Sequence, residues 1–254
     1  MTPGKTFAIG GDLEVNRLGF GAMRVLGRDR WWGEPDDREY SLRLIRRAVE
    51  LGCNLIDTAH SYGAGISEML IGEALHPYRD GVVVATKGGM HRVGEETFGD
   101  ARPETLRREC EESLRRLRLE RIDLYQLHRV DPNVPLEESA GTLAALREEG
   151  KIRHIGLSNV DVSQLERARR IVPIVSMQNR YSVVDREHEP VLEACERAGI
   201  AFLPYSPLEG GRSLPGGMTR RDALRWLLDR SPVVCPIPGT SSIEHLEDNV
   251  AAAA

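Results

Sequence analysis

The chain has 254 residues, 41% of them hydrophobic and 29% charged, with a formal net charge of 34 − 39 = −5. That balance fits a soluble globular protein with a sizeable core, and its mild acidity offers no general attraction to nucleic acid or to an anionic membrane. No apolar run approaches the length of a membrane span, and Met1–Gly11 lacks the apolar core of a signal peptide, so a cytoplasmic location is expected.

The first segment sets Phe7–Ile9 and Leu13–Val15 around Gly10-Gly11-Asp12, which predicts a β-hairpin. Short apolar runs then recur at Arg17–Met23, Asn54–Thr58, Val82–Thr86, Asp123–Leu127, His154–Leu157, Ile174–Gln178, Ala201–Tyr205 and Val233–Ile237. Amphipathic stretches separate them. Leu42, Ile45 and Val49 mark one helix face, and Leu106, Cys110, Leu114 and Leu117 another. Arg102-Pro103-Glu104 has the proline and acid of a helix start, and Gly150 and Gly199 stand where helices should end. Repeated β-then-α units require parallel strands joined by crossovers. Eight such strands in a chain of this length predict an α/β fold, a (β/α)8 TIM barrel with an N-terminal β-hairpin, as one domain over residues 1–254. A doubly wound open sheet is the alternative. Cys53, Cys110, Cys195 and Cys235 form no C-x-x-C pair and lie within apolar patterns, so they are expected as buried thiols.

Four polar residues fall at predicted strand ends. Asp57 follows Asn54-Leu-Ile, Tyr62 lies just beyond it, Lys87 ends Val82–Lys87, and His128 ends Asp123–His128. In a parallel barrel the C-terminal strand ends share one rim, so the fold would bring these four together. Carbonyl reduction needs an acid for the developing alkoxide. A phenol of pKa about 10 is a poor one unless an ammonium stabilises its phenolate. A buried carboxylate would keep that ammonium charged, and an imidazole could orient the substrate oxygen. Gly19-Phe-Gly21 lacks the third glycine of a dinucleotide motif and is expected only to give the backbone freedom near the rim. No residues show metal-ligand spacing, so no metal is expected.

The sequence resembles the aldo-keto reductases. The matching stretches are Leu18–Met23, Asn54–Gly63, Thr86–Gly88, Gln126–His128, Gly156–Asn159, Met177–Tyr181, Pro204–Leu208 and Ile237–Ser242, in the family's order across nearly the whole chain. The resemblance implies a catalytic tetrad of Asp57, Tyr62, Lys87 and His128, with Tyr62 as general acid, and an extended nicotinamide cofactor. It implies carboxamide contacts from Ser158, Asn159 and Gln178, and Tyr205 stacked on the nicotinamide. Ser206, Leu208 and Gly210 would follow the pyrophosphate. Gly239, Thr240, Ser241, Ser242 and His245 would lie at the adenosine ribose, and Asn249 at the adenine. Gly239 and His245 stand where many members carry cations for the 2′-phosphate. NADPH is therefore expected to be preferred only modestly, with NADH possible. Trp31, Trp32, Met90 and His91, in loops on the active rim, are expected to line the pocket of a small carbonyl substrate. A cofactor-binding regulatory subunit with slow or no turnover is the alternative on the same fold.

Overall fold

The computed structural model describes residues 6–27, 33–93, 96–211 and 214–253. The predicted hairpin is present as β1 (Thr6–Ile9) and β2 (Leu13–Asn16), paired antiparallel. Seven strands then run parallel: β3 (Phe20–Gly21), β4 (Leu55–Asp57), β5 (Val83–Gly88), β8 (Ile122–Leu127), β9 (Ile152–Ser158), β10 (Ser176–Gln178) and β11 (Ala201–Phe202). The eighth segment, 233–239, closes the barrel by bridges from Val234 to Phe202 and from Gly239 to Gly21. Its ladder is incomplete for a chemical reason. Pro236 and Pro238 accept from the backbone N–H groups of Gly19 and Gly21 but have no N–H to return.

Closure also explains the paired glycines. A Cβ on Gly21 would lie 2.6 Å from the Ile237 carbonyl oxygen, so only glycine lets the first and last strands approach. The Gly19-Phe-Gly21 segment thus serves barrel closure as well as the rim. Buried Arg17 reinforces the seam by donating to the carbonyls of Leu228 and Ser231 at 2.6 Å and of Val234 at 3.2 Å.

Helices α1 (Arg38–Glu50), α2 (Ile66–Leu75), α3 (Pro103–Leu117), α4 (Leu136–Glu148), α5 (Val162–Arg169), α6 (Glu189–Ala198), α7 (Arg220–Arg230) and α8 (Ile243–Val250) follow successive barrel strands. Their starts are locally encoded. Asp37 caps α1, Asp161 with Gln164 and Thr219 with Asp222 form capping boxes on α5 and α7, and Pro103 opens α3 after Arg102. The predicted faces of α1 and α3 pack inward, burying Leu42, Ile45, Leu106, Cys110 and Leu117. Cys53, Cys110, Cys195 and Cys235 are buried free thiols. Side chains from neighbouring strands fill the interior, among them Leu55, Ala85 and Leu124, with Leu203 just after β11. Ile9, Leu13 and Val15 of the hairpin join that cluster and stop the end opposite the C-terminal rim. Asp12 fixes the hairpin there through His154 and Arg153 at the start of β9.

One element lies outside the sequence expectation. A second hairpin, β6 (Met90–Val93) with β7 (Glu96–Gly99), interrupts the crossover from β5 to α3 on the C-terminal rim. Among the described residues, no helix is long and apolar enough to cross a membrane.

Candidate functional site

The C-terminal ends of neighbouring strands place four functional groups in one corner of the rim. Asp57 ends β4, Lys87 lies near the end of β5, His128 follows β8, and Tyr62 opens a 3-10 turn, Tyr62–Gly65, after β4. Lys87 is fully buried and donates from Nζ to Asp57 Oδ1 at 2.8 Å and to the Thr58 carbonyl at 2.6 Å. The same ammonium lies 5.1 Å from the Tyr62 ring centroid. Tyr62 and His128 meet edge to face with centroids 5.8 Å apart, and the Ser61 hydroxyl lies 3.4 Å from His128 Nδ1.

The tyrosine loop is tied down from two sides. The His60 N–H donates to the Lys87 carbonyl, and His60 Nε2 lies 2.8 Å from Glu112 on α3. Nothing in the sequence pattern pointed to His60, because its partner is 52 residues away.

Electrostatics divide the roles. Burial raises the Tyr62 pKa above the ordinary tyrosine value, and the Lys87 ammonium offsets this only in part. Burial alone would lower the Lys87 pKa, but the Asp57 carboxylate, with Tyr62, outweighs it and holds the ammonium above its ordinary value. Burial, with the charges of Lys87 and Arg129, keeps His128 well below its ordinary value and therefore neutral near pH 7.

A cleft of about 780 Å³ opens over this corner and continues along the rim. Of the expected cofactor residues, Ser158, Asn159, Gln178, Tyr205, Ser206, Leu208, Gly210, Gly239, Thr240, Ser241, Ser242, His245 and Asn249 all line it. Gln178 donates from Nε2 to Asp57 Oδ2 at 2.8 Å and to Gln126 Oε1 at 3.0 Å, which turns its own carbonyl oxygen into an available acceptor. Asn159 is committed more fully. It donates to the His128 carbonyl and the Ser158 hydroxyl, and accepts from the Tyr205 hydroxyl at 2.8 Å. Beyond Tyr205, the loop is held by Glu209, whose carboxylate accepts from Arg180 and Ser182. At the far end Thr240 Oγ1 accepts from the Ser242 N–H, and Ser242 Oγ accepts from the His245 N–H as the cap of α8. Two of the three hydroxyls expected at the ribose end thus have a structural task already: Thr240 Oγ1 also donates to the Ser242 carbonyl at 3.4 Å, whereas Ser242 Oγ can still donate. The Asn249 side chain is buried, and its Oδ1 has no partner among the described residues.

The expected substrate residues divide. Met90 lines the cleft, whereas His91 does not. Successive residues of β6 face opposite ways, so His91 stacks on Phe98 and sets its Nε2 2.9 Å from buried Glu109. Trp31 and Trp32 lie outside the described residues.

A model of the aldo/keto reductase family matches residues 17–221. The chain belongs to this family. It is 48% identical over 256 aligned residues, 96% of this chain and 83% of the relative, to an uncharacterized oxidoreductase of Schizosaccharomyces pombe. Among solved structures, the glycerol dehydrogenase of Gluconobacter oxydans superposes with a TM-score of 0.86 at 32% identity, covering 98% of this chain and 90% of that one. An aldo-keto reductase of Klebsiella pneumoniae in complex with NADPH superposes with a TM-score of 0.80 at 28% identity, covering 98% and 89%.

In this aldo/keto reductase the described residues lining the cleft include three arginines that the strand ends did not point to, Arg24, Arg129 and Arg220. Arg24 lies beside Gly239, where a Cβ on the glycine would meet Arg24 Cγ at 3.5 Å. Arg24 and Arg129 directly follow motif residues Met23 and His128, so the signal was present as adjacency. Among the described residues, no group of three or more His, Cys, Asp or Glu side chains could hold a metal ion.

Proposed function

We propose that this chain reduces an aldehyde or ketone to the alcohol with hydride from NADPH, and that Tyr62 donates the proton. The observation that carries this reading is the buried Asp57–Lys87 pair beside Tyr62 at the barrel mouth. When bound, the cofactor supplies hydride to the carbonyl carbon. Tyr62, protonated across the neutral range, hydrogen-bonds the carbonyl oxygen and transfers its proton as negative charge builds there. Lys87 stabilises the phenolate left behind, and Asp57 keeps Lys87 ionised. His128 is neutral, so it can orient the carbonyl through a ring N–H without competing as a charged acid.

The cofactor fits the groups present. The unpartnered Asn249 Oδ1 suits the exocyclic amino group of an adenine, and the Gln178 carbonyl oxygen suits a carboxamide N–H. Ser158 adds a hydroxyl to the carboxamide end, and Asn159 holds Ser158 and Tyr205 in place. Ser206, Leu208 and Gly210 would follow the pyrophosphate, and Gly239 to Ser242, with His245, would surround the ribose phosphate. A relative in this fold is an NADPH complex. Tested with a panel of aldehydes and NADPH, the purified protein should oxidise the cofactor steadily. Cofactor binding with no turnover on any aldehyde or ketone would instead favour the regulatory role.

Cofactor choice gives a second test. A 2′-phosphate is held best by a paired cation. Here Gly239 and His245 replace the family's usual cations, two hydroxyls are engaged in capping, and Arg24 stands beside Gly239. NADPH should bind more tightly than NADH by about ten- to a hundred-fold in Kd, each factor of ten being ~1.4 kcal/mol. Titration of the protein with both cofactors measures this, and equal affinities would remove the phosphate assignment. Turnover should also survive EDTA, since the proposed chemistry needs only the groups above. Activity lost on chelation and restored by zinc or magnesium would overturn that mechanism.

A further inference from the structure

The three cleft arginines serve different ends of the site. Arg24 is next to Gly239, and Arg220 is the first residue of α7, after the loop proposed to follow the pyrophosphate. Arg129 is separate from both. It follows His128 directly, is exposed, and lines the same cleft. His128 and Tyr205 line that cleft with it, and its charge lowers the pKa of His128 and opposes the rise at Tyr205.

Among the described residues Arg129 also has no counter-ion. No carboxylate among the described residues lies within 4.0 Å of its guanidinium, the limit for an ion pair. Acids on neighbouring loops are engaged elsewhere. Asp131 accepts from the backbone N–H of Asn133 at 2.8 Å, and also from its side chain and from the Ala101 N–H. Asp185 pairs with Arg180 Nε at 2.7 Å, and Glu209 holds Arg180 and Ser182. Among the described residues lining the cleft, the one acid, Asp57, is neutralised by Lys87. The substrate corner thus presents an unpaired planar cation, with Met23, Leu26, Met90 and Thr97 also lining the cleft.

We infer that Arg129 selects carbonyl substrates that carry an oxyanion, a carboxylate or a phosphate, a short distance from the carbonyl carbon. The inference rests on the reductase reading above, since it assumes that the carbonyl oxygen docks at Tyr62 and His128. Arg129 and His128 line the same cleft, so an anion paired with Arg129 would share it with a carbonyl held by His128. A guanidinium can pair with either oxyanion through two parallel N–H donors, which a lysine cannot match.

Matched substrates test the inference and separate the two anions: succinic semialdehyde against butanal, and glyceraldehyde 3-phosphate against glyceraldehyde. At low ionic strength, at least one anionic member should exceed its neutral partner by about ten-fold in kcat/KM, with the difference in KM. Added salt should shrink that advantage. In Arg129→Ala the ratio should fall to about one, and Arg129→Lys should recover part of it. Near-equal ratios for both pairs in the parent protein would overturn the inference, as would an advantage that survives in Arg129→Ala. Calorimetry with succinate and inorganic phosphate, in the presence of NADPH, adds a readout that needs no turnover. If no aldehyde is reduced but one of these anions binds the parent at least ten-fold tighter than Arg129→Ala, the anion site stands and the reductase reading fails. If no aldehyde is reduced and Arg129→Ala leaves anion binding unchanged or none is seen, both fall.

Discussion

Replacing Tyr62 by Phe should lower kcat for aldehyde reduction by about two to four orders of magnitude, the range for losing a positioned general acid. NADPH affinity should change little. Phe keeps the ring that packs edge to face on His128, while the proposed cofactor residues lie at the ends of β9 and β10, in the loop after β11, and before and on α8. The loss should therefore fall on kcat rather than on cofactor Kd. A Phe variant within a few-fold of the parent in single-turnover reduction would mean that another group donates the proton.

The same residue sets the pH profile. In the proposed mechanism Tyr62 acts in reduction as the protonated phenol, and burial holds its pKa above the ordinary value despite Lys87. Reduction should be level through the neutral range and fall only above the ordinary tyrosine value of about pH 10. Oxidation of the alcohol needs the phenolate and should rise with pH. His128, held well below its ordinary value, should produce no break near pH 6.5. A clear inflection there in the parent, absent from His128→Gln, would show that this imidazole titrates in the working range.

The strand and helix repeat was legible in the sequence because a barrel strand buried on both faces leaves an uninterrupted apolar run, and a helix packed on it leaves one apolar stripe. Asp57, Lys87 and His128 were legible for a related reason. A polar residue ending such a run must lie on the rim, where the barrel collects it with the others. What the pattern could not carry were contacts between distant segments. Pro236 and Pro238 leave the eighth strand recognisable in sequence, but its half-made ladder appears only beside Gly19 and Gly21. The β6–β7 hairpin is short and half polar, so Met90 and His91 read alike as rim residues until strand alternation turns them apart. Thr240 and Ser242 were expected at the adenosine ribose, yet the capping of α8 engages both hydroxyls. The anchoring of the Tyr62 loop by His60 and Glu112 depends on α3 lying against that loop, a fact of packing alone.

Asp57→Asn should destabilise the fold by about 3–5 kcal/mol at neutral pH, the range for removing one partner of a buried ion pair. In a protein of this size that lowers Tm by on the order of ten degrees. Both side chains are almost wholly excluded from water, and Asp57 also accepts from Gln178 at 2.8 Å. An asparagine amide cannot accept at both oxygen positions, so either Lys87 or Gln178 loses its partner. The pH dependence separates this mechanism from a general packing defect. In the parent, Asp57 holds the Lys87 pKa above its unfolded value, so the contribution of Lys87 is fully present at neutral pH and up to about pH 10.5, and is lost as pH rises through the folded value. Without the carboxylate, burial is the dominant influence and pushes the Lys87 pKa below its unfolded value. The unfolded chain then binds more protons, so the variant gains stability as pH rises toward that value. Urea unfolding at pH 7 and pH 9.5 should show the gap between parent and variant narrowing at the higher pH. Adding Lys87→Met to Asp57→Asn should recover part of the loss at pH 7, because the double variant no longer buries an unpaired ammonium. A gap that stays constant with pH, or a double variant no more stable than Asp57→Asn, would mean that Lys87 is not charged within the folded barrel.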